Sequence, residues 1–538
     1  MNKLLLLVSL FLTSSISAQM NSFVQLDENA IQCIVNSNGE LFTDLFNVES
    51  GFNVENSQNL HTIFSNRIVF AGLGPNGDLV MTKPNGSNNL ANGPLSVLQG
   101  MEFGPATITP SQSNAWSQIF VITRSEISEF YQYNACLNDP NCDEQTNFPG
   151  YQIPPSILNW PAHGDTTLNE PYNLAAFNDV NDDNVYNPLD GDYPCIKGKV
   201  YAWFIMNNYL VDPSVNTAPG GIEIQVEVYQ FEEGPNNPPL LNTVFVGYKV
   251  INRSTTPLAD FYFSNYTDFD LGNPLDDYIG TLPDHNGYFV YNGDDFDETS
   301  SFSTGFQNHL PAQGVFCLNH ELSGAGFADI DVLTPIEYYN IMRGYHTDGS
   351  VKYFPGTQIA TAFTFPYTSN TPYQWSESNS DGNGMVNTPG DRRMQGAVGP
   401  FMLDVGEQLS YDFAFVYAKD HLAGQGNLGS IDELIEDIED VQYYYDNQIT
   451  NCSGGWLATE EIDEFICKVF PNPATDLVYI EISNRASDVF FLRDVQGRIV
   501  RTGDINIATT IDVRDLTSGV YYLNLQGHPM QTYKIVKQ

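Results

Sequence analysis

The sequence predicts a mainly β protein of several domains, with an antiparallel β-sandwich body and a small Ig-like β-sandwich at its C-terminal end. Apolar residues alternate with polar ones over 222–228, 244–250 and 411–417, which is the period of a strand with one buried face. Asn-Gly steps such as Asn38-Gly39 and Asn76-Gly77 indicate tight turns between strands. The 538 residues, 42% of them hydrophobic, are enough for two or three packed domains.

The N-terminal residues resemble a secretory signal peptide. Lys3 precedes an apolar run over 4–12, and small or polar residues then lead to Ala18. The alternative is a membrane anchor, but the run is far shorter than the ~20 residues that span a bilayer. The predicted regions are 1–18, signal peptide; 19–125, N-terminal and β-rich; 126–200, loop-rich with a calcium-type loop; 200–447, β-sandwich body; 448–464, linker; and 465–538, C-terminal domain.

One amphipathic helix is predicted over residues 430–446, at the end of the body. Ser430 and Glu433 have the spacing of a capping box. The apolar positions that follow recur on one helical face, and the acidic positions are expected to face water. The expected buried positions are Ile431, Leu434, Ile435, Ile438 and Val441, and the expected exposed ones are Asp432, Glu436, Asp437, Glu439 and Asp440.

The charge of the chain is strongly negative. Lys and Arg number 21 against 65 Asp and Glu, a formal net charge of -44. Such a chain repels polyanions, which excludes nucleic acid as a partner and favours cations as ligands. An acidic surface also keeps a secreted protein soluble.

Seven cysteines suggest disulfides, which an exported protein can form. Cys136 and Cys142 flank a five-residue loop and are the first candidate pair. Cys452 and Cys467 are the second, and they would bridge the linker ahead of the tail. The odd count leaves at least one thiol unpaired within the chain.

The residues from 179 to 190 predict a calcium loop. Calcium binds six or more oxygen atoms from a compact loop, in a fixed spacing of positions. Asn184 stands where such loops usually have Gly, and it tolerates positive φ better than most residues. This spacing resembles the calcium loops of dockerin and thrombospondin type 3 repeats, and the alternative is an Asp/Asn-rich turn without an ion. The predicted ligands are Asp179, Asn181, Asp183, Val185 through its carbonyl, Asn187 and Asp190.

A second segment repeats this spacing less completely. Asn379, Asp381 and Asn383 occupy positions 1, 3 and 5, but position 12 is Gly390 and Asp391 comes one residue late. A third acidic cluster fits no loop template; it is either a composite site or a solvated edge, and the solvated edge is favoured. Its members are Asp268, Asp270, Asp276, Asp277, Asp294, Asp295 and Asp297.

The C-terminal residues have three ordered motifs: Pro471-Asn472-Pro473, then 494–498 (DVQGR), then 516–521 (LTSGVY). Together they resemble the type A C-terminal sorting domain of the Bacteroidetes type IX secretion system. The strand pattern alone would also suit an ordinary Ig-like binding module. The resemblance implies secretion or display at the outer-membrane surface, the type IX machinery as partner, and removal of the tail on arrival.

The body between about 260 and 420 is similar to unassigned secreted Bacteroidetes proteins, through 268–273 (DFDLGN), 276–280 (DDYIG), 390–393 (GDRR) and 399–401 (GPF). This similarity implies no activity. The sequence contains no HExxH, GxSxG or phosphate-binding loop. Two hypotheses follow: a calcium-stabilised binding or adhesion module with a glycan or surface partner, or an extracellular hydrolase of polysaccharide or protein.

Overall fold

The structure is a computed structural model. It has two compact units, Met1–Ile449 and Thr450–Gln538. The residues it describes are 22–57, 59–82, 101–109, 111–208, 221–231, 238–300, 303–327, 333–367, 375–419, 426–448, 467–482, 488–494, 498–505, 508–525 and 528–538. The predicted signal peptide (1–18), nearly all of the predicted linker (448–464) and Cys452 lie outside these residues, as does the side chain of Cys467.

The first unit is built from strands over most of its length. In chain order they are β1 Phe23–Leu26, β2 Gln32–Asn36, β3 Thr43–Asp44, β4 Glu49–Ser50, β5 Phe52–Asn53, β6 His61–Leu73, β7 Leu79–Thr82, β8 Glu102–Phe103, β9 Phe120–Thr123, β10 Phe177–Asn178, β11 Tyr193–Pro194, β12 Val200–Asn207, β13 Ile222–Gln230, β14 Thr243–Asn252, β15 Leu258–Phe269, β16 Asp277–Leu282, β17 Gly287–Asn292, β18 Pro311–Cys317, β19 Leu322–Phe327, β20 Arg392–Leu403 and β21 Gln408–Lys419.

Two large antiparallel sheets form the body. One has the order β1-β2-β5-β6-β15-β20-β19, with β7 beside β6, and the other has the order β16-β17-β18-β21-β14-β13-β12-β8, with β9 beside β12. Side chains from both sheets form one buried apolar cluster, to which Phe70 and Phe263 contribute from the first sheet and Phe204, Val246 and Phe415 from the second. The prediction of a mainly β, antiparallel sandwich is confirmed: the two sheets pack face to face, and side chains from the facing surfaces form the core.

The N-terminal region shares its sheets with the rest of the body. Strand β6 pairs with β15, so that Asn265 lies opposite Ile68. Strands β8 and β9 both pair with β12, which places Met206 opposite Phe103 and Val200 opposite Thr123. Residues 19–125 and 200–447, which the sequence divided, therefore contribute to the same two layers.

The helices are fewer and mostly short. The 15-residue helix α1 lies in the segment predicted as loop-rich, and that prediction is wrong there. Its start is stabilised by a capping box between Thr123 and Glu126, and it buries Ile127 and Phe130. No helix in the described part of the chain combines the length and apolar character needed to cross a membrane. The bounds are α1 Arg124–Asn138, α2 Glu144–Asn147, α3 Pro155–Leu158, α4 Pro238–Leu241, α5 Pro335–Met342 and α6 Gly429–Gln448.

Helix α6 corresponds to the helix predicted at the end of the body. It begins at Gly429, so Ser430 lies in its first turn, where its hydroxyl donates to the Asn427 carbonyl at 3.2 Å. Two acidic residues predicted to face water are in fact buried, because Asp437 is 9% exposed and Asp440 is 6% exposed. Burial, with neighbouring carboxylates, raises the pKa of Asp437 to about 8 and that of Asp440 to about 6.

Three cysteines of the body are oxidised. Cys136 and Cys142, the first predicted pair, form a disulfide with an S–S distance of 1.95 Å. Cys195 is also disulfide-bonded. Cys33 and Cys317 are free and buried, and burial raises the pKa of both thiols, so neither is primed for reaction.

The second unit is a small sandwich of two antiparallel sheets, as predicted. The orders are β22-β23-β26 and β25-β24-β27-β28. Its core includes Val478, Ile480, Leu492, Leu523 and Ile535. The strands are β22 Cys467–Phe470, β23 Leu477–Ile482, β24 Asp488–Asp494, β25 Ile499–Ile505, β26 Ala508–Asp512, β27 Gly519–Leu525 and β28 His528–Lys537.

Candidate functional site

The first predicted calcium loop lies between β10 and β11. The Asp179 carboxylate accepts the backbone N–H groups of Asp183 at 3.2 Å and Asn184 at 2.6 Å. The Asn181 side-chain oxygen accepts the Asp183 N–H at 3.2 Å, and Asp183 accepts the Val185 N–H at 2.8 Å. The structure therefore brings the predicted ligands at positions 1, 3 and 5 together around one turn of backbone.

The backbone of this loop contains two left-handed residues. Asp182 has φ +59° and Asn184 has φ +60°. Asn and Asp adopt this conformation more readily than other residues with a Cβ atom, because their short polar side chains can hydrogen-bond locally. Asn184 thus has the conformation for which such loops commonly use Gly.

The second half of the loop is held by an acid that the calcium template did not identify. Asp192 is fully buried, and its carboxylate accepts the N–H groups of Val180 at 2.8 Å and Asn187 at 2.9 Å. It therefore closes the loop from inside. The Asn187 side-chain amide also donates to the Asp190 carboxylate at 2.6 Å. Asn187, the predicted ligand at position 9, therefore holds Asp190, the predicted closing ligand at position 12.

His163 connects the loop to the body. Its Nε2 accepts the Tyr186 N–H at 3.0 Å, so its Nδ1 carries the proton and donates to the Tyr172 carbonyl at 3.1 Å. The imidazole also stacks on the Tyr172 ring, with centroids 4.0 Å apart. Both ring nitrogens are engaged with backbone groups, which is a structural role rather than a catalytic one.

The second loop has the same local geometry as the first. The Asn379 side-chain oxygen accepts the N–H of Gly384 at 2.6 Å, as Asp179 does from Asn184, again between positions 1 and 6. Asp381 accepts from Asn383 at 2.8 Å and from Met385 at 3.0 Å, and these N–H groups hold its pKa below the usual value. Positive φ again occurs at positions 4 and 6, here at Gly382 (+72°) and Gly384 (+98°).

A buried glutamate, which the loop spacing did not predict, holds the second loop to the sheets. Glu377 is 2% exposed and accepts the Asn387 side chain at 2.9 Å and the Ile279 N–H at 3.1 Å. Arg392 pairs with it through Nε at 2.8 Å and through a second nitrogen at 3.1 Å. Asp391, the displaced closing acid, pairs instead with Arg393 at 2.9 Å.

The sequence favoured a solvated edge for the third acidic cluster, and that prediction is wrong for several of its members. Asp277 and Asp297 are fully buried. Ligand oxygens of Asp268, Asp270 and Asp391 lie within 4.8 Å of one another. Burial raises the pKa of Asp268 to about 7 despite the nearby Arg393, and it raises that of Asp297 to about 7. The prediction was wrong because sequence spacing alone did not show that β15, β16 and β20 meet here, although Asp294 and Asp295 are exposed as expected.

A cleft of about 660 Å³ lies beside α6. Its lining includes acidic and imidazole side chains, and His285 Nε2 lies 3.2 Å from Glu439. Among the residues that line it, Tyr445 supplies the aromatic ring, and that hydroxyl is already bonded to Asp412.

Residues of the first and third motifs of the tail have structural roles within the second unit, while most of the middle motif (494–498) lies outside the described residues. The Asn472 side chain donates to the Lys534 carbonyl at 2.5 Å and accepts the Val536 N–H at 2.9 Å. The Pro-Asn-Pro segment is thereby fixed to β28. The Tyr521 hydroxyl donates to the Thr517 carbonyl at 2.8 Å and closes the turn ahead of β27.

The protein is thus an antiparallel β-sandwich body followed by a small sandwich. In this second unit, Asn472 binds the first segment to the last strand. The family model for the secretion system C-terminal sorting domain matches residues 468–538. These residues are a type IX sorting domain, so the protein is exported and delivered to the cell surface or outer membrane.

Two further comparisons concern the whole chain, including the body. No curated protein matches the chain. A solved polysaccharide lyase resembles it with 8% identity and a TM-score of 0.19, over 59% of this chain and 34% of that chain. The chain therefore spans about a third of the length of the lyase, and so low a TM-score supports no statement about the fold or activity of the body.

Proposed function

We propose that the exported body is a calcium-stabilised binding or adhesion module. The main support is that two segments 200 positions apart in the sequence, at Asp179 and Asn379, share one loop geometry. In both loops an oxygen at position 1 accepts from position 6, and positive φ occurs at positions 4 and 6. Side-chain oxygens gathered in this way are the ligands that Ca²⁺ prefers.

Both loops also present apolar side chains to solvent. Val180 and Leu189 in the first loop are 58% and 79% exposed, and Met385 and Val386 in the second are 57% and 61% exposed. Apolar groups held out on rigid loops favour contact with a partner. We therefore assign partner contact to the loop surfaces and stabilisation of those surfaces to the ion; the partner is a glycan or another surface component.

Calcium is expected to raise the thermal midpoint of the purified protein, and Asp179→Asn or Asp183→Asn is expected to reduce that rise. An ion at 100 times its Kd stabilises the folded state by about 2.7 kcal/mol. Asp182→Asn is the matched control, because it removes the same charge from position 4, where Asn also accepts positive φ. Differential scanning calorimetry with calcium and with EDTA measures the effect. Equal calcium-dependent shifts in wild type, Asp179→Asn and Asp183→Asn would show that this loop holds no ion.

The binding role is tested on glycan arrays and on immobilised polysaccharide, with a hydrolase panel in parallel. Wild type is expected to bind in calcium and to lose binding in EDTA. Leu189→Ser is expected to weaken binding at least about tenfold, a loss of ~1.4 kcal/mol, while Leu428→Ser, at an exposed leucine outside the loops, leaves it unchanged. Turnover of a polysaccharide or protein that is insensitive to Leu189→Ser would favour the hydrolase and contradict the binding module.

A further inference from the structure

Four residues with side-chain oxygens lie close together where β16 begins and β17 ends. Asp277 and Asn292 are directly opposite each other in the β16–β17 pair, so their side chains lie on the same face within about 5.5 Å at Cβ. The Gly293 N–H, next to Asn292, donates to the Asp276 carbonyl at 2.7 Å. Asn273 donates from its side chain to Asp276 at 3.1 Å. These contacts make Asn273, Asp276, Asp277 and Asn292 neighbours in the fold.

Three of these side chains are deeply buried and Asp276 is half-buried, and each has one oxygen that faces no donor. Asp277 and Asn292 are 0% exposed and Asn273 is 8% exposed. Within the described residues, the Oδ1 atoms of Asn273, Asp276, Asp277 and Asn292 have no hydrogen-bond partner. A buried polar atom without a partner costs about 1–3 kcal/mol, so four in one place require an explanation.

The remaining atoms of these side chains are fixed by hydrogen bonds, which determines where the free oxygens point. The second oxygen of Asp277 accepts the Leu271 N–H at 3.1 Å. The Asn292 amide nitrogen donates to the Asp294 carbonyl at 3.0 Å, and that of Asn273 donates to Asp276. Neither amide can turn its nitrogen toward the other oxygens without losing its present bond. The four free oxygens are therefore neighbouring acceptors without a donor.

The electrostatic surroundings are also negative. The carboxyl groups of Asp276, Asp297 and Asp270 lie close enough to Asp277 to repel it. The Glu298 carboxyl adjoins that of Asp276. Glu298 is exposed, so the cluster has one side open to solvent. The adjoining carboxyl groups of Asp276 and Glu298 must share either a proton or a cation.

The loop backbone is shaped around a further buried acid. Asp297 accepts the N–H groups of Asn273 at 3.1 Å and Phe306 at 2.6 Å. Gly272 has φ +63°, and a Cβ atom there would lie 2.1 Å from an Asp297 oxygen. Only Gly allows this approach. The loop from 270 to 277 is thus fixed against Asp297.

We propose that Asn273, Asp276, Asp277 and Asn292 bind a divalent cation, Ca²⁺ by their all-oxygen chemistry, at a site distinct from both Asx-rich loops. Two carboxylates and two amide carbonyls supply four ligands, and water can complete the six to eight that calcium takes. The ion fixes the loop 270–277 to the β16–β17 pair. This site does not depend on the loops at 179 and 379.

The test counts bound calcium on the purified full-length protein by equilibrium dialysis and elemental analysis. Asp277→Asn and Asp276→Asn are each expected to lose one equivalent relative to wild type, and Asp179→Asn loses a different one, so that Asp179→Asn/Asp277→Asn loses two. Asp284→Asn, an exposed acid of the same chain region, loses none. The two calcium assignments can therefore fail separately.

Urea unfolding supplies the second measurement. If the site holds calcium, Asp277→Asn unfolds at lower urea than wild type in calcium, but at equal or higher urea in EDTA, because it removes a buried charge. Asp276 is half-buried, so Asp276→Asn decides the question if Asp277→Asn does not fold. An unchanged calcium count in the variants that fold, or equal destabilisation in calcium and EDTA, would show that the four oxygens hold no cation.

Discussion

Deletion of residues 469–538 is expected to abolish surface display and leave the body in the periplasm. The sorting domain occupies 468–538 and is a compact unit with its own core. Its removal takes no strand from either large sheet of the body. We therefore expect a folded but undelivered protein, measured as loss of protease-accessible protein on intact cells and its recovery in the periplasmic fraction.

A point variant tests whether surface display requires a correctly folded tail and not only the presence of its residues. Asn472→Ala removes both bonds to the backbone of β28, at a cost of about 1–2 kcal/mol, and is expected to reduce display. Asp182→Asn in the body is the control, since it leaves the tail intact. Surface display of the 469–538 deletion at the wild-type level would contradict the role of the tail.

In EDTA, the protein is expected to become more stable as the pH falls from 8 to 5, by at least about 2 kcal/mol. The pKa of Asp437 is raised to about 8, and those of Asp268 and Asp297 to about 7. A carboxyl with a raised pKa in the folded state binds its proton more tightly there than when unfolded. Its stabilising contribution is complete below the unfolded pKa near 4 and is lost as the pH rises through 7 to 8.

Urea unfolding at several pH values measures this trend. Asp437→Asn is expected to flatten it, because about 1.4 kcal/mol accompanies each unit of pKa shift. Asp446→Asn is the matched control, at an exposed acid of the same helix. Stability in EDTA that decreases steadily from pH 8 to 5 would mean that the buried carboxyls are charged and compensated at neutral pH.

The sequence predicted the strands well because period-2 alternation follows directly from one buried face. Val244 and Val246 are buried, as the alternation requires. It missed helix α1 although Thr123 and Glu126 have capping-box spacing, since the polar residues that follow obscure the face made by Ile127 and Phe130. Asp437 was misassigned because a helical pattern places a residue on a face without revealing what covers that face.

The candidate sites divide in the same way. Asp179, Asn181 and Asp183 are close in sequence, so their spacing was sufficient to predict the turn that they form. Asp192 and Glu377 hold their loops through contacts that no loop template includes. Asp277 and Asn292 meet only because β16 and β17 pair, and a single sequence does not specify that register.

The pairing of β6 with β15 determines when the body can fold. Asn66 on β6 bonds to Thr267 on β15, a partner 201 residues later, and β12 must likewise receive the earlier β8 and β9. Contacts this distant in sequence make folding slow, because the long loop must close before they can form. A chain emerging from its N-terminus therefore carries β6 as an apolar strand without its main neighbour until residues 258–269 have followed. Such a strand is prone to aggregation, so passage through the periplasm requires either a chaperone that covers it or delay of folding until β15 has arrived.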